Sequence, residues 1–100
     1  MKHYTEYTKE EQKDLVLRAQ KGCEDTKNEV IRIFNDMIYD IVNKFRLTRD
    51  VEDVVQIGLM GITQAMLNYD PSDKAKFSTY AYRTALGELL KYFRSNHSVH

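Results

Sequence analysis

The chain has 100 residues, of which 42% are hydrophobic and 30% charged, with a formal net charge of zero. That length supports one domain, residues 1–100, with a modest core, and neutrality excludes a general polyanion coat. The single cysteine, Cys23, excludes an intrachain disulfide. No apolar run is long enough to cross a bilayer, and the N-terminal MKHYTEYTKEEQ has no apolar leader core, so a cytoplasmic setting without membrane is expected.

The charge is polarised along the chain. Residues 1–73 hold ten Lys and Arg against fourteen Asp and Glu, a net −4. Residues 74–100 hold Lys74, Lys76, Arg83, Lys91 and Arg94 against Glu88, a net +4. A basic C-terminal quarter suits a polyanion, and the acidic remainder suits a basic partner. No paired-carboxylate, Cys/His or Gly-rich phosphate constellation is present, and His3, His97 and His100 lie near the termini. A non-enzyme without metal or cofactor is expected.

Helical periodicity dominates in chain order. Thr8 with Glu11 reads as a capping box opening a first helix that ends near Gly22, with Leu15, Val16 and Ala19 as its apolar face. The second helix carries Val30, Ile33, Phe34, Met37, Ile38, Ile41, Val42 and Phe45 in an unbroken 3-4 spacing, which predicts one buried stripe. Asn35, Asp36, Tyr39, Asp40 and Asn43 lie off it. Thr48 or Asp50 caps a third helix whose buried face runs through Val51, Val54 or Val55, Gly58, Ile62, Ala65 or Met66, and Tyr69. Gly58 and Gly61 each cost about 1 kcal/mol relative to Ala inside a helix, so another helix is expected to pass too close for a β-carbon. Pro71 stops the third helix, and the last starts around Ser78. The result is an all-α bundle of about four helices, with 1–7 and 96–100 expected to be flexible.

The stretch DVEDVVQIGLMGITQAMLNYDPSDKAKFSTYAYRTALGELLKYFRSN resembles the second region of bacterial RNA polymerase sigma factors. Three features in fixed order carry the likeness: the D-hydrophobic-hydrophobic-Q-x-G-x-x-G helix from Asp53 to Ala65, the Tyr69-Asp70-Pro71 loop, and KFSTYA from Lys76 to Ala81. GEL at Gly87–Leu89 is similar to the alternative rather than the housekeeping members. Upstream, Asp14 to Gly22 resembles the opening helix of compact sigma factors.

That resemblance implies a promoter-recognition domain with two partners. One is core RNA polymerase, held through the coiled coil of its β′ subunit; the matching positions are Asn35, Asp36, Asp53, Gln56 and Met60. Asp53 and Gln56 share a helical face and suit Arg-rich helices, although Asp53 also fits simply as a first-turn carboxylate. The other partner is the −10 element of promoter DNA, melted so that unpaired non-template bases are captured. The resemblance assigns this to Tyr69, Lys76, Phe77, Ser78, Thr79 and Tyr80, with Arg83, Gly87, Leu90, Lys91 and Arg94 toward the upstream duplex. Tyr80 is the ring expected to stack on a flipped base, which is worth roughly 1–3 kcal/mol. Ser78 is also the obvious N-cap, and Phe77 and Tyr82 fit either core or DNA.

The chain departs from the family pattern in three places. Ile57 stands where many members carry Glu. Arg83 and Thr84 replace a tryptophan pair, which implies weaker melting and stricter dependence on the −10 sequence, readable as promoter opening on mismatched −10 elements. A domain reading the −35 element is not within these residues, so the sequence reads as an excised domain or as a subunit working with a separate −35-reading protein. The alternative function is a sigma-like interaction module that binds polymerase or an anti-sigma protein without reading DNA.

Overall fold

The computed structural model of the chain describes residues 2–47 and 50–98, with the side chains of 2–47 and 50–94. Four α-helices, with no strand among the described residues, form the all-α bundle that the periodicity predicts. Thr8 opens α1 (Lys9–Gln20) with the expected capping box. Its hydroxyl accepts from the Glu11 N–H at 3.1 Å, and the Glu11 carboxylate accepts from the Thr8 N–H at 2.9 Å. Gly22, at φ +99°, ends the turn that follows in a conformation a β-carbon would resist.

The second helix, α2 (Glu24–Phe45), buries Val30, Ile33, Phe34, Met37, Ile38 and Ile41. The apolar stripe fades at its end, where Val42 is half-buried and Phe45 is 40% exposed. Phe45 is the last residue before the chain reverses at Arg46, which adopts the left-handed conformation at φ 54°.

Helix α3 (Val51–Asn68) returns along α2 and buries Val54, Gly58, Gly61, Ile62, Ala65 and Met66, with Tyr69 following. Val51, expected in this face, is instead 62% exposed, because it is the helix's first residue at the outer edge of the corner. Asp50 takes the N-cap position without a side-chain bond; Thr48 lies outside the described residues. The two glycines mark close crossings. A β-carbon on Gly58 would lie 2.7 Å from the Ile38 side chain, and one on Gly61 would lie 2.7 Å from the Ala85 Cα.

Helix α4 (Phe77–Ser98) forms the most extensive pair with α3 and buries Phe77, Ala81, Ala85 and Leu89. Its backbone runs through Ser98, so residues 96–98, read from the sequence as tail, are helical. Before α1, residues Tyr4–Glu6 form a 3-10 turn, and Tyr4 is buried against Phe34 with its hydroxyl donating to Asp40 at 2.6 Å. A file of five rings therefore crosses the molecule. Tyr4–Phe34, Phe34–Phe77, Phe77–Tyr69 and Tyr69–Tyr80 have centroids 5.8, 5.1, 5.5 and 5.9 Å apart. It runs from the N-terminal turn through the core to the surface at Tyr80.

Candidate nucleic-acid interface

The outward face of α4 is a single stripe set by the 3.6-residue period. Thr79, Arg83, Gly87, Leu90, Lys91 and Arg94 are exposed along it, preceded by exposed Lys76, and Tyr80 is half-buried at its margin. From Lys76 to Arg94 the stripe spans roughly 27 Å. Glu88, the one carboxylate of α4, is paired with Lys91 at 3.5 Å. Among the described residues Lys76, Arg83 and Arg94 have no ion pair. The sequence-predicted cations thus meet on one surface, and of them Lys76, Arg83 and Arg94 are uncommitted to the protein's own acids among the described residues.

The loop from Asp70 to Lys76 leads into this stripe and is tied to itself. The Asp70 carboxylate accepts from the Ser72 N–H at 2.9 Å and from its hydroxyl at 2.7 Å, which holds Asp70 below the usual carboxylate range. Asp73 accepts from the Ala75 N–H at 3.0 Å. The Tyr69 hydroxyl donates to the Ala75 carbonyl at 2.6 Å. Burial, then Asp73 and Asp70, push the Tyr69 phenol up, so it stays a neutral donor.

The structure shows where three of the sequence candidates lie. Phe77 is 1% exposed and Tyr69 4%, and neither has a free face on which a base could stack. Phe77 packs in T-shaped contacts with Phe34 and Tyr69, and Tyr69 also meets Tyr80 in a tilted contact. Both rings belong to the core, and Tyr69 packs against Tyr80. Ser78 is not the N-cap: α4 begins at Phe77, and Thr79 and Tyr80 donate back to the Lys76 carbonyl at 3.1 and 3.3 Å. The Ser78 N–H instead donates to Gln12 of α1 at 2.8 Å. Tyr82, which fitted either place, is half-buried on the other flank of α4. There it lines an open cleft of about 330 Å³ with Tyr4, Met37, Ser78, Thr79 and Arg83.

Comparison with known proteins gives the family. The family described as Sigma-70 region 2 matches residues 30–99. The chain belongs to that family. It is 33% identical over 93 residues to an RNA polymerase sigma-E factor of Clostridium acetobutylicum, covering 92% of this chain and 40% of that protein. It is 31% identical over 91 residues to an RNA polymerase sigma-F factor of Priestia megaterium, covering 89% and 36%. Over 46 residues it is 44% identical to an RNA polymerase sigma-F factor of Kitasatospora aureofaciens, covering 46% and 16%. The chain spans about two fifths of the length of the first two of these relatives.

Other candidate positions of this sigma-70 region 2 chain lie on a different face. Asp53, Gln56 and Met60 are exposed along α3, one turn apart. Asp53 and Gln56 line a shallow cleft of about 320 Å³ with Val51, Glu52, Val55 and Tyr39 of α2. Asn35, one turn before Tyr39, is half-buried on that side of α2. Asp36 is separate: it lies toward Tyr4, whose phenol is pushed up by burial, by the Asp40 hydrogen bond and, more weakly, by Asp36. Asp53 also accepts from the Tyr92 hydroxyl at 3.4 Å, which links this face to the far end of α4.

Sequence reasoning assigned no site role to α1. Yet Gln12 is, among the described residues, one of two buried polar ones, and Lys9, Gln12 and Gln20 all reach the α3–α4 loop region. The available signal was a glutamine at position 12 in register with the apolar Val16 and Ala19, where a solvent-facing residue would be out of place. Among the described residues no cluster of metal-ligating side chains occurs, and no helix is long and apolar enough to cross a membrane.

Proposed function

We propose that the chain acts in transcription initiation as region 2 of a sigma factor. In this reading it docks on the β′ coiled coil of core RNA polymerase and captures unpaired non-template bases of the −10 element. The observation that carries the reading is Tyr80: a half-open ring, backed by the buried Tyr69 and set beside unpaired Lys76 and Arg83. A base leaving the duplex loses stacking, and a flat side chain restores it at roughly 1–3 kcal/mol. The neighbouring cations attract the phosphates on either side of that base, which makes binding salt-dependent. The relatives, named as RNA polymerase sigma factors, support the same assignment.

Docking would use Asp53, Gln56 and Met60, with Asn35 at the margin. The carboxylate and amide suit arginine donors, and Met60 supplies adaptable apolar contact. The chain would then work in the cytoplasm, with a −35-reading segment or subunit completing promoter recognition and an anti-sigma protein as a further partner. The reading without DNA recognition, an interaction module only, leaves the cations around Tyr80 without a purpose. The two separate on one measurement: binding of single-stranded −10 oligonucleotides by wild type and Tyr80→Ala, with and without core polymerase. Loss of about 5- to 150-fold in sequence-specific binding is expected from the stacking energy. An unchanged affinity would leave docking and remove base capture.

A further inference from the structure

We propose that Gln12 and Gln20 of α1 are positioning residues for base capture, holding from outside the two backbone ends between which the capture loop hangs. The proposal rests on the function proposed above, since it concerns how Tyr80 and its loop are kept in place. It concerns a helix that lies wholly before residues 30–99, the part matched to the family.

Helix ends carry backbone groups with no partner inside the helix. Two such ends flank the loop: the last carbonyls of α3 and the first N–H groups of α4. Gln20 serves the first. Its Nε2 donates to the Met66 carbonyl at 3.0 Å and to the Tyr69 carbonyl at 2.8 Å. Gln12 serves the second. Its Oε1 accepts from the Ser78 N–H at 2.8 Å while its Nε2 donates to the Tyr7 carbonyl at 3.0 Å. Lys9 adds a third hold in mid-loop, its Nζ donating to the Lys74 carbonyl at 2.7 Å.

Gln12, Val16 and Gln20 are four residues apart and form one ridge of α1. Val16, fully buried between the two glutamines, packs this ridge into the core, so the helix stays docked by apolar contact when a glutamine is truncated. Gln12 is 2% exposed and both its amide atoms are satisfied, so its orientation is set. The rings to be positioned sit at these anchors. Tyr69 is the residue whose carbonyl Gln20 holds, and Tyr80 lies two residues beyond the N–H that Gln12 holds. The gap between them is the 5.9 Å ring contact that backs the stacking face. Without the glutamines the two ends of the loop lose these holds, and that gap is left to Lys9, the loop's own bonds and the α3–α4 packing.

The test uses the full chain loaded on core polymerase and a single-stranded A·T-rich −10 oligonucleotide of about 12 nucleotides. A second oligonucleotide carries an abasic site in place of the captured base, and the ratio of the two affinities is the readout. Gln12→Ala and Gln20→Ala are each expected to reduce that ratio at least 5-fold, by weakening only the intact oligonucleotide. Gln12→Glu, which keeps an acceptor for the Ser78 N–H but loses the donor to the Tyr7 carbonyl, is expected to restore only part of it, above Gln12→Ala. Val16→Ala, which loosens α1 without touching these bonds, is expected to lower the melting temperature and leave the ratio unchanged. Lys9→Ala, at a partly exposed side chain that leaves the core intact, is expected to lower the ratio more mildly and covers the case in which a glutamine variant fails to fold. If Tyr80→Ala collapses the ratio while the Gln12, Gln20 and Lys9 variants leave it intact, the positioning role is wrong and base capture stands. If Tyr80→Ala itself leaves the ratio intact, base capture is wrong and the positioning role falls with it.

Discussion

Three helical glycines offer a graded test of how tightly α3 holds the DNA-facing helix. A β-carbon on Gly87 would meet nothing within 4 Å, one on Gly58 would meet the Ile38 side chain at 2.7–3.0 Å, and one on Gly61 would meet the Ala85 Cα at 2.7 Å. Replacing an interior helical glycine by alanine gains about 1 kcal/mol of propensity. At Gly87 nothing opposes that gain, so Gly87→Ala is expected to stabilise the protein by about 1 kcal/mol. At Gly61 the opposing atoms are backbone, and ordinary carbon contact needs roughly 3.5–4.0 Å. The α3–α4 pair must therefore separate by about 1 Å, and overpacking of this kind costs about 1–3 kcal/mol. Net destabilisation of about 0–2 kcal/mol follows. Gly58→Ala falls between, because Ile38 is a side chain but a β-branched and fully buried one with little freedom to swing away. Each kcal/mol shifts the melting temperature of a domain this size by about 4–8 °C. Thermal denaturation followed by circular dichroism should thus rank Gly87→Ala highest and Gly61→Ala lowest. Gly61→Ala melting at or above Gly87→Ala would refute the close crossing.

The remaining predictions concern charge and contact. Arg83→Ala and Arg94→Ala are each expected to reduce the slope of log affinity against log salt by about 1 or less, uniformly across sequences, as loss of a phosphate contact does; the check is a salt titration of promoter binding. Asp53→Ala and Gln56→Ala are expected to weaken association with core polymerase while changing stability by no more than about 0.5 kcal/mol, since both side chains are exposed; pull-down affinity and a melt read the two effects separately. The capping-box carboxyl of Glu11 is held below its ordinary 4.5, chiefly by the Thr8 N–H and next by Lys2. Its stabilising contribution is therefore present above pH 4.5 and lost as pH falls through the lowered folded value. Glu11→Ala should melt below wild type at neutral pH, and the two curves should converge in acid.

Much of the fold was legible because its causes are local. The Thr8–Glu11 box, the 3-4 stripe of α2 and the stop at Pro71 each depend on residues within a turn or two, so spacing alone exposes them. Gly58 and Gly61 also betrayed their crossings, because an interior glycine is hard to explain otherwise. The ends of the stripes were misread at Val51 and Phe45, since periodicity says which side a residue lies on and not how far a neighbouring helix extends.

What only the tertiary structure decided is which ring of a crowded turn faces inward. Tyr69, Phe77 and Tyr80 are alike in chemistry and close in sequence. Phe77 became core because Phe34 of α2 packs against it in a T-shaped contact, leaving Tyr80 as the half-exposed ring of the three. The same holds for the bond from Ser78 to Gln12, which joins positions 66 residues apart. By itself the sequence determined the helices, the basic quarter and the family to which they belong. Long-range packing decided the orientation of the rings and the holds on the loop, because burial and partnered backbone groups are properties of neighbours that no local pattern records.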